Sequence, residues 1–354
     1  MVKILLGDVA KERRETIKTD KSNFPVVGLE HLVPEQIQLT EWSNDADNTF
    51  TKMFHKGDIL FGRRRAYLKK AALAPFDGIC SGDITVIAPI ENGIAPELLP
   101  FIIQNDDFFD YAIEKSAGSL SPRVKWEHLK EYEFELPALE EQKKLAKILW
   151  AAEKTKQAYK KLLQKTDDMV KSQFIEMFGD VYQEDSEWIK KAFEEVVEDV
   201  SRLGTKIQTD DYLKNGKYPI IDQGQNYISG YRNDEKGVYR DVPVIVFGDH
   251  TRCFKYVDFP FFMGADGVKI LKAKGSDMNI KFLAELLKMV PIPNMGYNRH
   301  YRWLKEFDLI IPPAALQNDY AFFVEQTDKS KFELQKSLDN LNAMKKALIN
   351  ENFK

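Results

Sequence analysis

"LKEYEFELP", residues 129–137, returns as "LKEFDLIIP" at 304–312, an offset of 175 positions in a chain of 354 residues. An offset close to half the length reads as duplication, and an internal repeat decides the fold before any other feature. Leu129/Leu304, Lys130/Lys305, Glu131/Glu306 and Pro137/Pro312 are identical, Tyr132/Phe307 stays aromatic and Glu133/Asp308 keeps its charge. A generic strand ending at proline would match once by chance, so the flanking sequence has to carry the rest.

It does. Trp126 and Trp303 stand just upstream, in "SPRVKW" and "NRHYRW". "DILFGRRRAYLKK" (58–70) lies over "VIVFGDHTRCFKY" (244–256), which sets Phe61-Gly62 on Phe247-Gly248 and Lys69 on Lys255 at an offset of 186. "GICSGDITVI" (78–87) lies over "FFMGADGVKI" (261–270), with Asp83 on Asp266, and "FPVVG" (24–28) over "YPIID" (218–222). Both halves keep one order of blocks while the connecting loops change length. Loops tolerate such changes and carry function, so two divergent copies of one scaffold are expected.

After each repeated proline the pattern turns helical. Residues 140–178 contain no proline and no glycine, and small or apolar residues recur alternately three and four apart at Leu145, Ile148, Ala152, Thr155, Tyr159, Leu162, Thr166 and Met169. Adding 175 gives Tyr320, Phe323, Thr327, Ser330, Leu334, Ser337, Leu341 and Met344 in the second run, 314–354. This is a coiled-coil seam. A helix of that length spans about 60 Å and needs an apolar partner. The other helix is the expected partner; packing of each helix on its own globular domain is the competing arrangement.

The fold class expected is therefore α+β. Two β-rich domains (1–138 and 179–313) would sit at opposite ends of an antiparallel pair of helices (139–178 and 314–354), related by a pseudo-twofold internal repeat. Strands are expected at "DILFG", "DITVIAPI", "YEFELP", "VPVIVFG", "GVKILKA" and "FDLIIP", and shorter helices at 95–115 and 279–290.

Composition is globular, with 44% hydrophobic and 30% charged residues. No apolar run has the length of a membrane span, and the N-terminus breaks into charge too early for a secretory signal. Cys80 and Cys253 fit small buried thiols in a reducing cytoplasm, where this chain is expected to reside. The net charge of −4 hides clusters: Arg63, Arg64, Arg65, Lys69 and Lys70, then Arg299, His300 and Arg302. A basic stripe on an acidic body still attracts nucleic acid.

No catalytic constellation stands out. A phosphate-cradling glycine loop and a cofactor glycine fingerprint are absent, the five histidines lack metal-ligand spacing, and "IPPA" (311–314) lacks the polar start and aromatic end of an amino-methyltransferase tetrapeptide. Asp249-His250 is set aside as an acid–base pair because Arg63-Arg64 occupies the matching place. Asp83 and Asp266 read as turn residues capping main-chain amides, ahead of DNA contact or a nuclease centre.

The Phe-Gly frame persists while the residues after it change, as two readers of different base sequences would require. Arginine pairs with guanine, asparagine with adenine, and aspartate accepts from cytosine. The DNA-contacting set expected is Arg63, Arg64, Arg65, Lys69, Ser119, Ser121, Arg123 and Lys125 in the first half. In the second it is Asp249, His250, Arg252, Lys255, Tyr297, Asn298, Arg299, His300 and Arg302. Ser119, Ser121 and Lys125 suit phosphates, which position rather than specify. For any one arginine a solvated surface charge is the alternative.

These blocks together, with "SPRVKWEHLKEYEFELPALEEQKKLAKIL" and "GYNRHYRWLKEFDLIIP", resemble the specificity subunits of Type I restriction-modification systems over essentially the whole chain. The resemblance implies a non-catalytic DNA-binding subunit. Each target-recognition domain would read half of a split site in double-stranded DNA. The helices would set the gap and dock two methyltransferase subunits, with restriction/translocase subunits joining for cleavage. It implies no cofactor on this chain, S-adenosylmethionine, ATP and magnesium belonging to partners. The second helix departs from the pattern, since "AALQNDYAFF" lacks the wording "LEEQKKLAKIL". The specificity chain of a fused restriction-methyltransferase (Type IIB/IIG-like) and a coiled-coil adaptor without a DNA role are the alternatives.

Overall fold

A computed structural model of the chain describes residues 2–17, 21, 23–44, 48–90, 93–181, 187–296 and 298–353. It divides into two compact units, Met1–Leu163 with Leu334–Lys354, and Gln164–Glu333.

The first unit is built on a strand buried on both faces. In chain order its elements are β1 (Val2–Leu5), α1 (Leu6–Val9), β2 (Ala10–Glu12), β3 (Val26–Val27), β4 (Lys52–Phe54), β5 (Ile59–Gly62), β6 (Ala71–Leu73), β7 (Gly78–Cys80), β8 (Ile84–Pro89), α2 (Leu99–Ile103), α3 (Asp106–Glu114), α4 (Trp126–Leu129), β9 (Glu133–Leu136) and the long α5 (Leu139–Phe178), whose second part belongs to the other unit. The main sheet runs β2-β8-β5-β6, a smaller one β3-β7-β4, and β1 pairs with β9. Side chains alternate along β5. Ile59 and Phe61 enter a core with Phe101, Phe108, Phe109 and Phe134, while Leu60 enters a second core with Val27, Cys80 and Val86. Burial pushes the Cys80 thiol up to about 12. The helix expected over 95–115 is two helices, interrupted at Gln104–Asn105.

In the second unit the elements are β10 (Lys190–Ala192), α6 (Phe193–Val196), β11 (Val197–Asp199), β12 (Lys206–Ile207), β13 (Tyr218–Ile221), β14 (Gly230–Arg232), β15 (Val244–Gly248), β16 (Phe254–Val257), β17 (Phe262–Gly264), β18 (Val268–Ala273), α7 (Ile280–Met289), α8 (Tyr301–Leu304), β19 (Asp308–Ile310) and the start of α9 (Ala314–Asn352). Its sheets run β11-β18-β15-β16 and β12-β17-β13-β14, with β10 paired to β19. Ile245 and Phe247 again face a helical core, with Phe282 and Leu286, and Val244 and Val246 the opposite one, with Val257 and Phe261. The Asn279 side chain caps α7 by accepting from the Lys281 and Phe282 amides at 2.9 and 3.1 Å. Cys253 is only half-buried.

The long helices are parts of both cores. In the first unit Leu145, Ala146, Leu149, Ile349 and Phe353 join the sheet-facing core. In the second, Phe174, Phe178, Tyr320 and Val324 do so. α5 stops at Gly179, whose φ of +72° suits a glycine after a helix.

Of the seam residues expected, Leu145 and Tyr320 are buried, and Ala152, Tyr159, Phe323, Leu334 and Leu341 are half-buried. Ile148, Leu162, Met169 and Met344 are exposed. The inward side chains one position on are Leu149, Lys156, Leu338 and, only 12% exposed, Lys345. The physical reason is that charged residues occupy inward positions here. The Lys345 ammonium meets Glu153 at 2.5 Å, and Lys156 donates to the Glu35 carbonyl at 3.1 Å. At Lys156 and Lys345 a count of apolar residues therefore selects the wrong neighbour.

Burial pushes the Glu153 carboxyl up, but the Lys345 hydrogen bond and charge outweigh it, and its pKa lies below the ordinary glutamate value. The carboxylate therefore contributes at neutral pH, and that contribution is lost as pH falls through the depressed value, while burial lowers the pKa of the Lys345 ammonium. Glu153→Gln leaves two buried ammonium groups short of a counter-charge and is expected to cost about 3 kcal/mol in denaturant unfolding at pH 7. The deficit should shrink on acidification. The exposed Lys331–Asp167 pair, cut by Asp167→Asn, should cost below about 1 kcal/mol.

Candidate nucleic-acid interface

The first unit's basic cluster starts where β5 ends. The Gly62 amide donates to the Lys70 carbonyl at 2.8 Å, and a Cβ there would meet that oxygen at 3.1 Å and Leu29 at 3.2 Å. Arg63–Lys70 then loop out. Arg65 and Lys69, with φ of 55° and 51°, flank a 3-10 turn over Ala66–Leu68. A second segment pins this loop. The Arg65 amide donates to the Pro122 carbonyl (2.8 Å), Val124 to Arg63 (3.0 Å), and Ala117 and Arg123 exchange both main-chain hydrogen bonds. Residues 63–70 and 116–125 thus come together.

Asp83 organises their side chains. Its carboxylate accepts from Arg123 Nε at 2.7 Å and Arg64 Nη1 at 3.3 Å, while Arg64 Nη2 donates to Ser121 Oγ at 3.1 Å. The Arg123 hydrogen bond leads in holding the Asp83 carboxyl below the usual aspartate range, against partial burial. Asp83 neither caps a turn with its carboxylate nor stands free: it orients two guanidinium groups. Arg65, Ser119, Arg123 and Lys125 are exposed, and Arg63, Arg64 and Ser121 half-buried. Lys69 turns to Asp106 at 2.5 Å. Three exposed residues that a search for charge overlooks, Tyr67, Leu68 and Leu120, share these loops.

The second unit corrects the expected set. Asp249, Lys255 and His300 are 4%, 4% and 0% exposed and face inward. The Asp249 carboxylate accepts the Tyr301 amide at 2.7 Å, and its carbonyl accepts the His300 amide at 2.8 Å, with His300 Nδ1 at 2.9 Å. Lys255 donates to the carbonyls of Asp222 (2.8 Å) and Asn226 (2.5 Å), and burial lowers its pKa. These groups build the frame that carries the loops. Strand register explains the misplaced lysine. Phe61 pairs with Ala71, but Phe247 pairs with Phe254, so Lys255 corresponds to Ala72. The residue in the place of Lys69 is Arg252, also left-handed at φ 60°. The loop is three residues shorter, and the offset drops from 186 to 183 within it.

Arg299, Arg302 and Asn298 are exposed, with the Arg302 guanidinium 4.9 Å from the Trp303 ring centroid. Half-buried Arg252 donates to the Ile292 carbonyl at 3.2 Å. Half-buried His250 donates its amide to Gln223 Oε1 at 3.3 Å, and its Nδ1 lies 3.2 Å from the Asn298 carbonyl. Gln223 also accepts from Thr251 at 2.6 Å, so it holds this loop although no sequence signal marks it. Tyr297 lies outside the described residues. Among the described residues no three His, Cys, Asp or Glu side chains gather to hold a metal ion, and no helix is long and apolar enough to cross a membrane.

Asp249→Ala is expected to lower stability by about 1–3 kcal/mol, because a buried amide loses its acceptor. Arg299→Ala and Arg302→Ala should stay within about 0.5 kcal/mol. Equilibrium unfolding of the three variants checks the division between frame and surface.

Residues 2–165 match the family described as the Type I restriction modification DNA specificity domain. Two curated relatives from Escherichia coli are similar in part. The Type I restriction enzyme EcoR124I/EcoR124II specificity subunit is 25% identical over 104 residues, 28% of this chain and 26% of that protein. The EcoDI specificity subunit is 28% identical over 127 residues, 33% of this chain and 28% of that protein. The matched regions thus span about a quarter of the length of these relatives. The crystal structure of a Type I restriction-modification S subunit from M. genitalium is similar in fold, with TM-score 0.59 and 14% identity over 100% of this chain and 96% of that one.

Proposed function

We propose that this chain, whose residues 2–165 match the Type I restriction modification DNA specificity domain, is the sequence-specific DNA-recognition subunit of a Type I restriction-modification complex. Each unit reads one half of a split target, and the long helices set the unread gap and dock methyltransferase subunits. The observation that carries this reading is the arginine platform of the first unit. Asp83 and Ser121 hold Arg64, Asp83 holds Arg123, and Arg65 and Lys125 stand exposed beside them. Guanidinium groups held in one orientation suit paired hydrogen bonds to guanine O6 and N7, and the exposed lysine and Ser119 suit phosphates. In the second unit Asn298, Arg299 and Arg302 offer a different set, and His250 and Arg252 support it from below.

Contacts within each unit support an antiparallel course for the helices. In the second unit Asp167 meets Lys331 and Val170 meets Tyr320, partner numbers falling as the others rise. In the first, Glu153 meets Lys345. The recurring strand order supports the internal repeat: β2-β8-β5-β6 in one unit and β11-β18-β15-β16 in the other.

The test is methylation mapping in cells that express the chain with its methyltransferase subunits. Exchange of residues 1–138 for those of another family member should alter one half of the methylated site and spare the other; alteration of both halves sinks independent reading. Seven residues inserted at Gln157, matched by seven at Phe332, add about 10 Å of helix. At 3.4 Å per step of DNA the gap should grow by about three base pairs. An unchanged gap contradicts the ruler role.

A further inference from the structure

Leu120 is 90% exposed, the largest exposure of any large apolar side chain among the described residues. It stands on the loop Ser116–Arg123, whose neck is closed by the two Ala117–Arg123 main-chain hydrogen bonds, at 3.0 and 2.9 Å. Gly118, at φ +118°, takes the backbone through a conformation other residues avoid. The Arg65 amide on the Pro122 carbonyl and Arg64 on Ser121 tie the far side of the loop to the arginine platform. Leu120 is therefore presented by a pinned loop among groups that suit DNA: exposed Arg65, Arg123 and Lys125, and the hydroxyls of Ser119 and Ser121.

A solitary surface leucine is ordinary. The position of this one narrows what it meets. If the surrounding cations engage a duplex, as the recognition reading requires, Leu120 loses its water and needs an apolar partner. The apolar group that base edges offer in the major groove is the C5-methyl of thymine. Apolar wedges enter between base steps from the minor groove, whereas guanidinium groups paired to guanine O6 and N7 would set this loop at the major groove. We propose that Leu120 is a specificity residue that reads one thymine methyl in the half-site of the first unit.

The inference rests on the recognition reading, and a cycle of protein and DNA variants separates the two. The complete complex with its methyltransferase subunits is titrated with duplexes carrying the mapped target, in which each thymine of that half is replaced in turn by deoxyuridine. At one position the wild type should bind about three- to five-fold more weakly, the weight of one buried methyl group. Leu120→Ala should lose at least that factor on the thymine duplex and show no further loss with deoxyuridine there. Leu120→Met should retain most of the discrimination. Unchanged binding by Leu120→Ala overturns the inference, as do losses that multiply independently at every thymine, or a half-site without an A·T pair. A 2-aminopurine signal of unstacking that depends on Leu120 overturns it in favour of a wedge. If the wild-type complex binds target and scrambled duplex alike, the recognition reading fails, and this inference fails with it.

Discussion

The loops depend on how a fully buried strand ends. β5 and β15 are covered on both faces, so their main-chain groups are paired within the sheet and neither strand has freedom to shift. Each ends in glycine where a Cβ would meet a close neighbour. At Gly62 it is the Lys70 carbonyl, and at Gly248 it is the Thr251 hydroxyl at 2.3 Å with Gln223 beside it. A Cβ would crowd the Lys70 carbonyl at Gly62 and would displace the Thr251 hydroxyl at Gly248. The departure point of the loop is therefore rigid, while the residues after it face few packing demands. Each sheet can then present its own loop, Arg-Arg-Arg in the first unit and a shorter, differently charged turn in the second.

Charge follows the same division. Lysines and aspartates that sit on the frame are spent on it: Lys255 satisfies two carbonyls and Asp249 a helix terminus. Asp83 lies between these roles, since its carboxylate restrains Arg64 and Arg123 while both keep part of their surface in solvent. A guanidinium with a fixed plane has already lost the rotamer freedom that binding would otherwise cost. A net charge of −4 is therefore no obstacle to a local cationic surface. The buried Glu153–Lys345 pair works differently. It faces inward with Lys156, whose ammonium donates to the Glu35 carbonyl.

Much of this was legible in the sequence because it rests on periodicity and spacing. Continuous apolar runs marked β5, β8, β15 and β18, and glycine- and proline-free stretches marked α5 and α9. The failures have particular causes. Lys255 was matched to Lys69 because both are lysines in similar text, yet a three-residue loop difference moves every later side chain. Met344 stands for Lys345 because a count of apolar residues cannot see that a lysine is buried when a glutamate faces it, and Ile148 stands for Leu149 because two adjacent apolar residues do not themselves say which faces inward.

By itself, the amino-acid sequence marked the principal strands, the two long helices and the polypeptide family it resembles, since local spacing and residue type control all three. Tertiary structure alone decided which charges face solvent. Asp249, Lys255 and His300 read as surface groups in one dimension, just as Arg299 does, and Leu120 carries no sign of exposure. Whether a side chain meets water depends on carbonyls and aromatic rings from distant segments, and pairwise proximity of that kind is written in no single stretch of the chain.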